Sequence, residues 1–435
     1  GDRPRDSLDG KGRVMRFARV RVLMMLCRLS GARAFSAIAP VVVGTPDGGT
    51  AVRVVVKNTG LLRRLPQAPK GKELLRRAIT SAKKVEWDKT QKNNKLRARK
   101  RAAMQANEMA QVISVPLREM IKTHNAETLR RTLHAFEYAQ ANLTQSARRK
   151  NGGRLLDEVL KDIQSLRREV LEDAKAGAAL AKAASSAAEC EECTERTQEK
   201  MAERITQYSP ALEELREIQR AFRRLPTVTL SAPTVVFVGA PNVGKSTMVT
   251  ELSTGEPEIG NYAFTTRAVT LGHVYEQGKK MGQVMDTPGL LDREDDERNE
   301  MEELTLATMR HLPSAVVFVV DLSSHAGTAH SSPEKQLAVR NHLRNKFPKR
   351  PWLDVISKSD LTPENALIQA PEGAVFVSMR LGTGVDELRA EVLGLMEKVR
   401  AATRSHFAQV QNKPNPDGSF DVASYEPSEP LQVAP

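Results

Sequence analysis

Cysteine is scarce, with three residues in a chain of 435. So few cannot staple a small secreted scaffold. Aromatic residues make up 4% of the chain, which argues against an RNA module built on stacked surface Phe and Tyr. No stretch approaches the roughly 18 uninterrupted apolar residues of a membrane span, so stable membrane insertion is not expected. At 40% hydrophobic and 27% charged, the composition fits a soluble globular protein and excludes collagen, mucin-like stalks and wholly disordered chains. The length suggests two or three domains.

The first third lacks acid. Residues 1–150 hold 33 Lys and Arg against 11 Asp and Glu. Residues 151–225 hold 13 against 15, and residues 226–435 hold 20 against 27. The net charge of +13 therefore belongs to the N-terminal third, and such segregation points to a polyanionic partner there. Part of it has another reading. No acidic residue lies between Lys11 and Pro46, and Arg13, Arg16, Arg19, Arg21, Arg28 and Arg33 recur among apolar residues. An Arg-rich, acid-free, amphipathic segment has the composition of an organelle transit peptide. Gly1 is no initiator, and Met15 is the expected first residue. Beyond that segment the densest basic run is Lys83 to Arg101, with nine Lys and Arg. Each phosphate that such residues contact releases counterions. With Trp87 almost alone as an aromatic, the expected readout is of backbone and shape.

The periodicity predicts helices over most of 72–225. Leu156, Leu160, Ile163, Val170 and Ala174 form one stripe, and Met201, Ile205, Tyr208, Leu212, Leu215 and Phe222 continue the spacing. Ala176–Ala188 favours helix, Asn151-Gly152-Gly153 reads as a helix–helix turn, and Ser209-Pro210 as an N-cap followed by proline. Near residue 226 the pattern becomes short Val-rich strands alternating with helices. The expected architecture is an all-α helical bundle followed by an α/β domain, its sheet mainly parallel with helices on both faces. The predicted parts are a transit-like segment 1–45, a basic helical domain 46–225, an α/β domain 226–400 and an irregular tail 401–435.

Gly239-Ala-Pro241-Asn242-Val243-Gly244-Lys245-Ser246-Thr247 is a complete P-loop between a Val-rich strand and a helix. Its glycines turn backbone N–H groups toward phosphates, and the helix N-terminus adds its positive end. Lys245 is expected on the β and γ phosphates and the Ser246 hydroxyl on Mg²⁺. Asp286-Thr-Pro-Gly289 follows at a strand end, with Asp286 for the Mg²⁺ shell and the Gly289 N–H for the γ phosphate. Thr265 and Thr266 lie between the two motifs. Thr266 is the preferred metal ligand, ordered only by triphosphate. The metal set is thus Ser246, Thr266 and Asp286. Ser357-Lys358-Ser359-Asp360 follows a later strand. Its carboxylate can accept from guanine N1–H and the 2-amino group, donors that adenine lacks. Lys358 can lie over the base, and Val377-Ser378-Met379 can offer a backbone N–H to guanine O6. The nucleotide is therefore expected to be GTP or GDP. A Cys190/Cys193 pair one helical turn apart lacks the further ligands a zinc site needs.

Together these motifs resemble the Obg/nucleolar GTP-binding (NOG) group of translation-factor-related GTPases. The resemblance also runs through Tyr262-Ala-Phe-Thr-Thr-Arg267, Gly272-His273, Asp286–Arg293, Glu297-Arg-Asn299 and Arg224-Leu-Pro226. It covers roughly residues 60–395 and is closer to the nucleolar type, which has helices before the G domain. The resemblance implies a P-loop GTPase that binds an immature large ribosomal subunit beside other assembly factors, places its N-terminal helices near ribosomal RNA, and leaves after hydrolysis. Ser357 departs from the family's Asn-Lys-x-Asp. The transit-like segment points away from the nucleolus, to the mitochondrial matrix or alternatively a plastid. Leu290 stands where Ras-type enzymes carry a water-orienting Gln, so slow intrinsic hydrolysis is expected. Relatives with an apolar residue there can use K⁺ held partly by the P-loop Asn, here Asn242. Asn242, Lys245, Thr266 and Gly289 are the candidate catalytic residues. Two other readings stay open: a GTP-bound placeholder with little hydrolysis, and a ribosome-binding translation regulator of the DRG type.

Overall fold

The computed structural model describes residues 40–44, 50–54, 60–226, 228–255, 257–260, 269–291, 298–323 and 332–411. The chain divides into two compact units, residues 1–58 and 59–435. The described part of the first is an antiparallel pair, β1 (Pro40–Gly44) and β2 (Thr50–Val54). These two strands pair with each other from either side of the boundary expected at 45/46, and the two compact units meet at residues 58 and 59. The Arg-rich segment before residue 40 lies outside the described residues.

The helical part of the second unit comprises α1 (Leu61–Arg64), α2 (Gly71–Lys83), α3 (Asn94–His124), α4 (Ala126–Thr132), α5 (Ala135–Lys150), α6 (Leu156–Ala183), α7 (Ala187–Gln207) and α8 (Ser209–Arg224). Local chemistry sets the ends. The Asn93 side chain accepts from the N–H groups of Lys95 and Leu96, opening α3. The Ala-rich run, expected as one helix, breaks at Ala184–Ser186, and the Ser186 hydroxyl caps α7 by accepting from Glu189 N–H. Ser209 is not the cap of α8. The Tyr208 carbonyl already accepts from Leu212 N–H, so Tyr208 is the half-in residue and Ser209 lies inside the helix.

The predicted apolar stripe of α6 is buried throughout: Leu156, Leu160, Ile163, Val170 and Ala174 are at most 6% exposed. Helices α6 and α7 approach so closely that a Cβ at Gly177 would fall 2.1 Å from Thr197 Oγ1. No helix among the described residues is long and apolar enough to cross a membrane.

The second half is a seven-stranded sheet: β3 (Thr234–Gly239), β4 (Glu258–Gly260), β5 (Val269–Glu276), β6 (Lys279–Asp286), β7 (Ser314–Asp321), β8 (Trp352–Ser357) and β9 (Val375–Val377). Its spatial order is β4-β5-β6-β3-β7-β8-β9. The pairs from β6 through β3, β7 and β8 to β9 are parallel, while β4–β5 and β5–β6 are antiparallel. Strands β3 and β7 are buried at every position, as continuous apolar runs in a two-sided sheet must be. Helices α9 (Lys245–Leu252) and α12 (Val385–Gln411) cover one face, and α10 (Glu300–His311) and α11 (Pro333–Lys346) the other. Helix α12 continues to Gln411, where irregular chain was expected from 401.

The bundle and the sheet share one core. Val269, Leu271 and Met285 of the sheet and Leu304, Ala307 and Leu312 at α10 pack in the same cluster as the bundle interior. Arg63 donates to the Leu225 carbonyl at 2.6 and 3.0 Å and pairs with Glu258 at 3.3 Å, fastening the junction.

Candidate nucleotide site

The P-loop leaves the carboxyl end of the central strand β3, where a parallel sheet exposes its ligand crevice. A Cβ at Gly239 would lie 2.3 Å from the Val319 carbonyl, so only glycine fits beneath the neighbouring strand. Gly244, at φ 96°, precedes α9 in a left-handed conformation with nothing within 4 Å of where a Cβ would stand. Asn242 is exposed and also has positive φ, 62°. Val243 is buried beneath the loop, while Ser246 and Thr247 in the first turn of α9 are exposed. Lys245 Nζ donates to the carbonyls of Gly239 and Ala240 at 3.1 and 2.7 Å.

Ser246 Oγ donates to Asp286 Oδ2 at 2.5 Å, which brings together two of the three predicted metal ligands. Asp286 is 5% exposed, and its Oδ1 is buried with no hydrogen-bond partner. Burial raises its carboxyl above the ordinary range, opposed by Lys245 and by the Ser246 hydroxyl. A buried orphan oxygen beside a hydroxyl is a hard-donor set that fits Mg²⁺. Ser246 and Asp286 would hold that ion, which would neutralise phosphate charge. Thr265 and Thr266 lie outside the described residues.

The Asp-Thr-Pro-Gly loop rests directly on the P-loop. A Cβ at Gly289 would fall 2.5 Å from Pro241 N, and Leu290 N–H donates to Gly239 O at 3.1 Å. Thr287 Oγ1 anchors the strand end on Phe237 O at 2.7 Å. Leu290 is 1% exposed and packs with Val236, Val238 and Leu306. Its side chain belongs to the core, so it cannot orient a water.

At the far end of the sheet, Asp360 Oδ1 accepts from Ser378 Oγ at 2.6 Å and Oδ2 from Arg380 Nε at 2.9 Å. The Ser378 hydroxyl, then Arg380, hold this carboxyl below its ordinary range. Lys358 sits at φ 51° and pairs with buried Asp321 at 2.6 Å. Ser357 is 1% exposed and donates its hydroxyl to Val320 O at 3.2 Å. It therefore does not replace the amide that the family places there. Ser378 N–H donates to Thr383 O at 3.0 Å, so of the predicted pair Ser378 does not offer its backbone donor to a base here.

Three residues here were not anticipated. Asp321 closes an apolar parallel strand, a position that could have marked it. Arg380 had no signal beyond following Val377-Ser378-Met379. Glu302, 1% exposed, accepts from Leu291 N–H and Asn299 N–H, tying the Gly289 loop to the start of α10. Among the described residues no His, Cys, Asp and Glu cluster could hold a further metal, and Cys190 is buried in α7.

Two family models match the two halves. Residues 62–229 match the NOG1 N-terminal helical domain, and residues 234–358 match the 50S ribosome-binding GTPase. Residues 62–229 and 234–358 thus carry the helical and GTPase domains of the NOG1-type nucleolar GTP-binding protein family. The chain's fold is a NOG1-type helical domain followed by a P-loop GTPase domain. Nucleolar GTP-binding protein 1 of Arabidopsis thaliana is 32% identical over 164 residues, 38% of this chain and 24% of that protein. Its counterpart in Encephalitozoon cuniculi is 33% identical over 186 residues, 41% and 34% of the two chains. A solved nucleolar GTP-binding protein 1 from Plasmodium falciparum is 23% identical, covering 43% of this chain and 98% of that one, with a TM-score of 0.35. The match thus spans about a quarter to a third of the length of these curated relatives.

Proposed function

We propose that this protein binds and hydrolyses GTP and serves assembly of a large ribosomal subunit, with its basic helices against ribosomal RNA. The observation that carries the nucleotide half is the Ser246–Asp286 pair with its orphaned buried oxygen, beneath a complete P-loop. The chain's own groups divide the work. Backbone N–H groups of the P-loop and the start of α9 bind phosphates, Lys245 supplies charge, and the Gly289 loop senses the terminal phosphate. Asp360, aligned by Ser378 and Arg380, reads guanine. The nucleolar GTP-binding names of the relatives and the excess of Lys and Arg in residues 51–150 support the ribosomal half.

Finer points belong to the same proposal. The Arg-rich composition before Pro46 supports a mitochondrial setting, with a plastid as the alternative. Asn242 contributes to a K⁺ site beside the phosphates, which supplies charge that buried Leu290 cannot. A second reading is favoured by Leu290 and Ser357: a placeholder that holds GTP with little turnover. Lys245→Ala separates the two when binding and turnover are measured together. Wild-type turnover that the variant lacks supports the enzyme, and GTP binding without measurable wild-type turnover, alone or on ribosomal particles, supports the placeholder.

A further inference from the structure

We propose that the loop between α2 and α3 carries a stacking site for one unpaired RNA base, with the Trp87 indole as its platform. This rests on the RNA-contact reading above. Trp87 is one of two tryptophans in the chain and is 44% exposed. The Arg101 guanidinium carbon lies 4.3 Å from its ring centroid and that of Arg97 5.6 Å. Both arginines rise from the first two turns of α3, one turn apart. The exposed part of Trp87 lines the cavity between α2, α3 and α7, with positive charge beside it.

Polar braces hold this loop. Arg101 Nε donates to Val85 O at 3.1 Å, and Lys100 pairs with Asp88 at 2.6 Å. Asp88 also accepts from Thr90 N–H and Oγ1, at 3.0 and 2.6 Å. Packing does not account for an indole fixed in solvent by such contacts. A presented platform does, because a preformed site loses less freedom on binding.

Beside Trp87 opens a cavity of about 690 Å³ between α2, α3 and α7, lined by Lys83, Arg101 and Gln105 on one side and Glu191 and Glu195 on the other. A nucleobase matches this lining. Its flat face stacks on the indole, its amino groups donate to the carboxylates, and its carbonyls accept from Arg101 and Lys83. The phosphates stay outside, on exposed Lys84, Lys89, Lys92 and Lys95. A base inside a duplex cannot reach such a cavity, so the site selects an unpaired nucleotide. An acidic peptide fits worse, because Glu191 and Glu195 would repel it.

The test uses the full chain with GDP and two RNA hairpins of equal length, one fully paired and one with a single bulged 2-aminopurine. Wild type should bind the bulged hairpin on the order of tenfold more tightly and quench its fluorescence. Trp87→Ala should erase that preference while leaving affinity for the paired hairpin unchanged, and Trp87→Phe should keep part of it. Equal wild-type affinity for the two hairpins overturns the proposal, as does Trp87→Ala weakening both alike. Binding of neither hairpin overturns the RNA-contact reading as well. A glutamate-rich peptide that quenches Trp87 where the bulged hairpin does not would hand the surface to a protein partner.

Discussion

Lys150, the last residue of α5, pairs with Glu300, the first residue of α10, at 2.6 Å. Helix α10 is also the one whose Glu302 holds the loop after Gly289. The bundle is therefore fastened to the element that flanks the loop after Gly289, and the shared core of Leu304, Ala307 and Leu312 backs the pair. Lys150 is largely exposed, so the coupling energy from a Lys150→Ala/Glu300→Ala double-mutant cycle should be only ~0.2–1 kcal/mol. Charge reversal at Lys150 should leave GTP affinity intact and change the difference in protease sensitivity between GTP-analogue and GDP states. An unchanged difference would confine the pair to static packing.

Gly289→Ala should cut GTP turnover on the order of 100-fold, because a Cβ there lands 2.5 Å from Pro241 N and displaces one loop from the other. Steady-state hydrolysis with a nucleotide-affinity control checks it. Near-normal turnover would mean that the contact between these loops is not needed for chemistry.

Leu290→Gln should not restore a water-orienting residue. The side chain is 1% exposed among Val236, Val238 and Leu306, so the variant buries an amide at a cost of about 2–3 kcal/mol. Chemical denaturation should show the loss, with no rise in hydrolysis. By the same account K⁺ should stimulate wild-type turnover more than Na⁺, and equal rates would remove Asn242 from the account.

Glu137 is 6% exposed and accepts from the N–H groups of Gly60 and Leu61 at 2.9 and 3.2 Å. Burial raises its carboxyl to about 7. The folded chain then holds a proton that the unfolded chain releases, so this group's contribution to stability declines as pH rises from about 4.5 to 7. Glu137→Gln removes that slope, and its melting temperature relative to wild type should be more favourable at pH 8 than at pH 5. A constant difference would contradict the assignment. His124 and His134 act in the opposite sense. Burial lowers each to about 4, so their share of stability is lost as pH falls from about 6.5 toward 4.

Much of this was legible in the sequence because the responsible interactions are local. The P-loop motif and the Val-rich β3 before it fix each other's place, and the α6 stripe needs only its 3.6-residue period. The break at Ala184–Ser186 was not legible, since propensity favours helix across it and only the Ser186 cap and the packing of α7 interrupt it. Leu290 could be read as the wrong residue for orienting water, but its burial depends on β3 and α10 arriving from distant sequence. The same holds for Trp87. Counting aromatics led to an expected readout of backbone and shape, and nothing in the sequence showed that the fold sets the Trp87 indole beside a cavity made by three helices.

The most direct measurement is sedimentation of the endogenous protein from cell lysate with a GTP analogue and with GDP, followed by RNA sequencing of its fractions. The account predicts co-migration with an immature large subunit in the analogue and release in GDP. Absence from every ribosomal fraction in both nucleotides would contradict it.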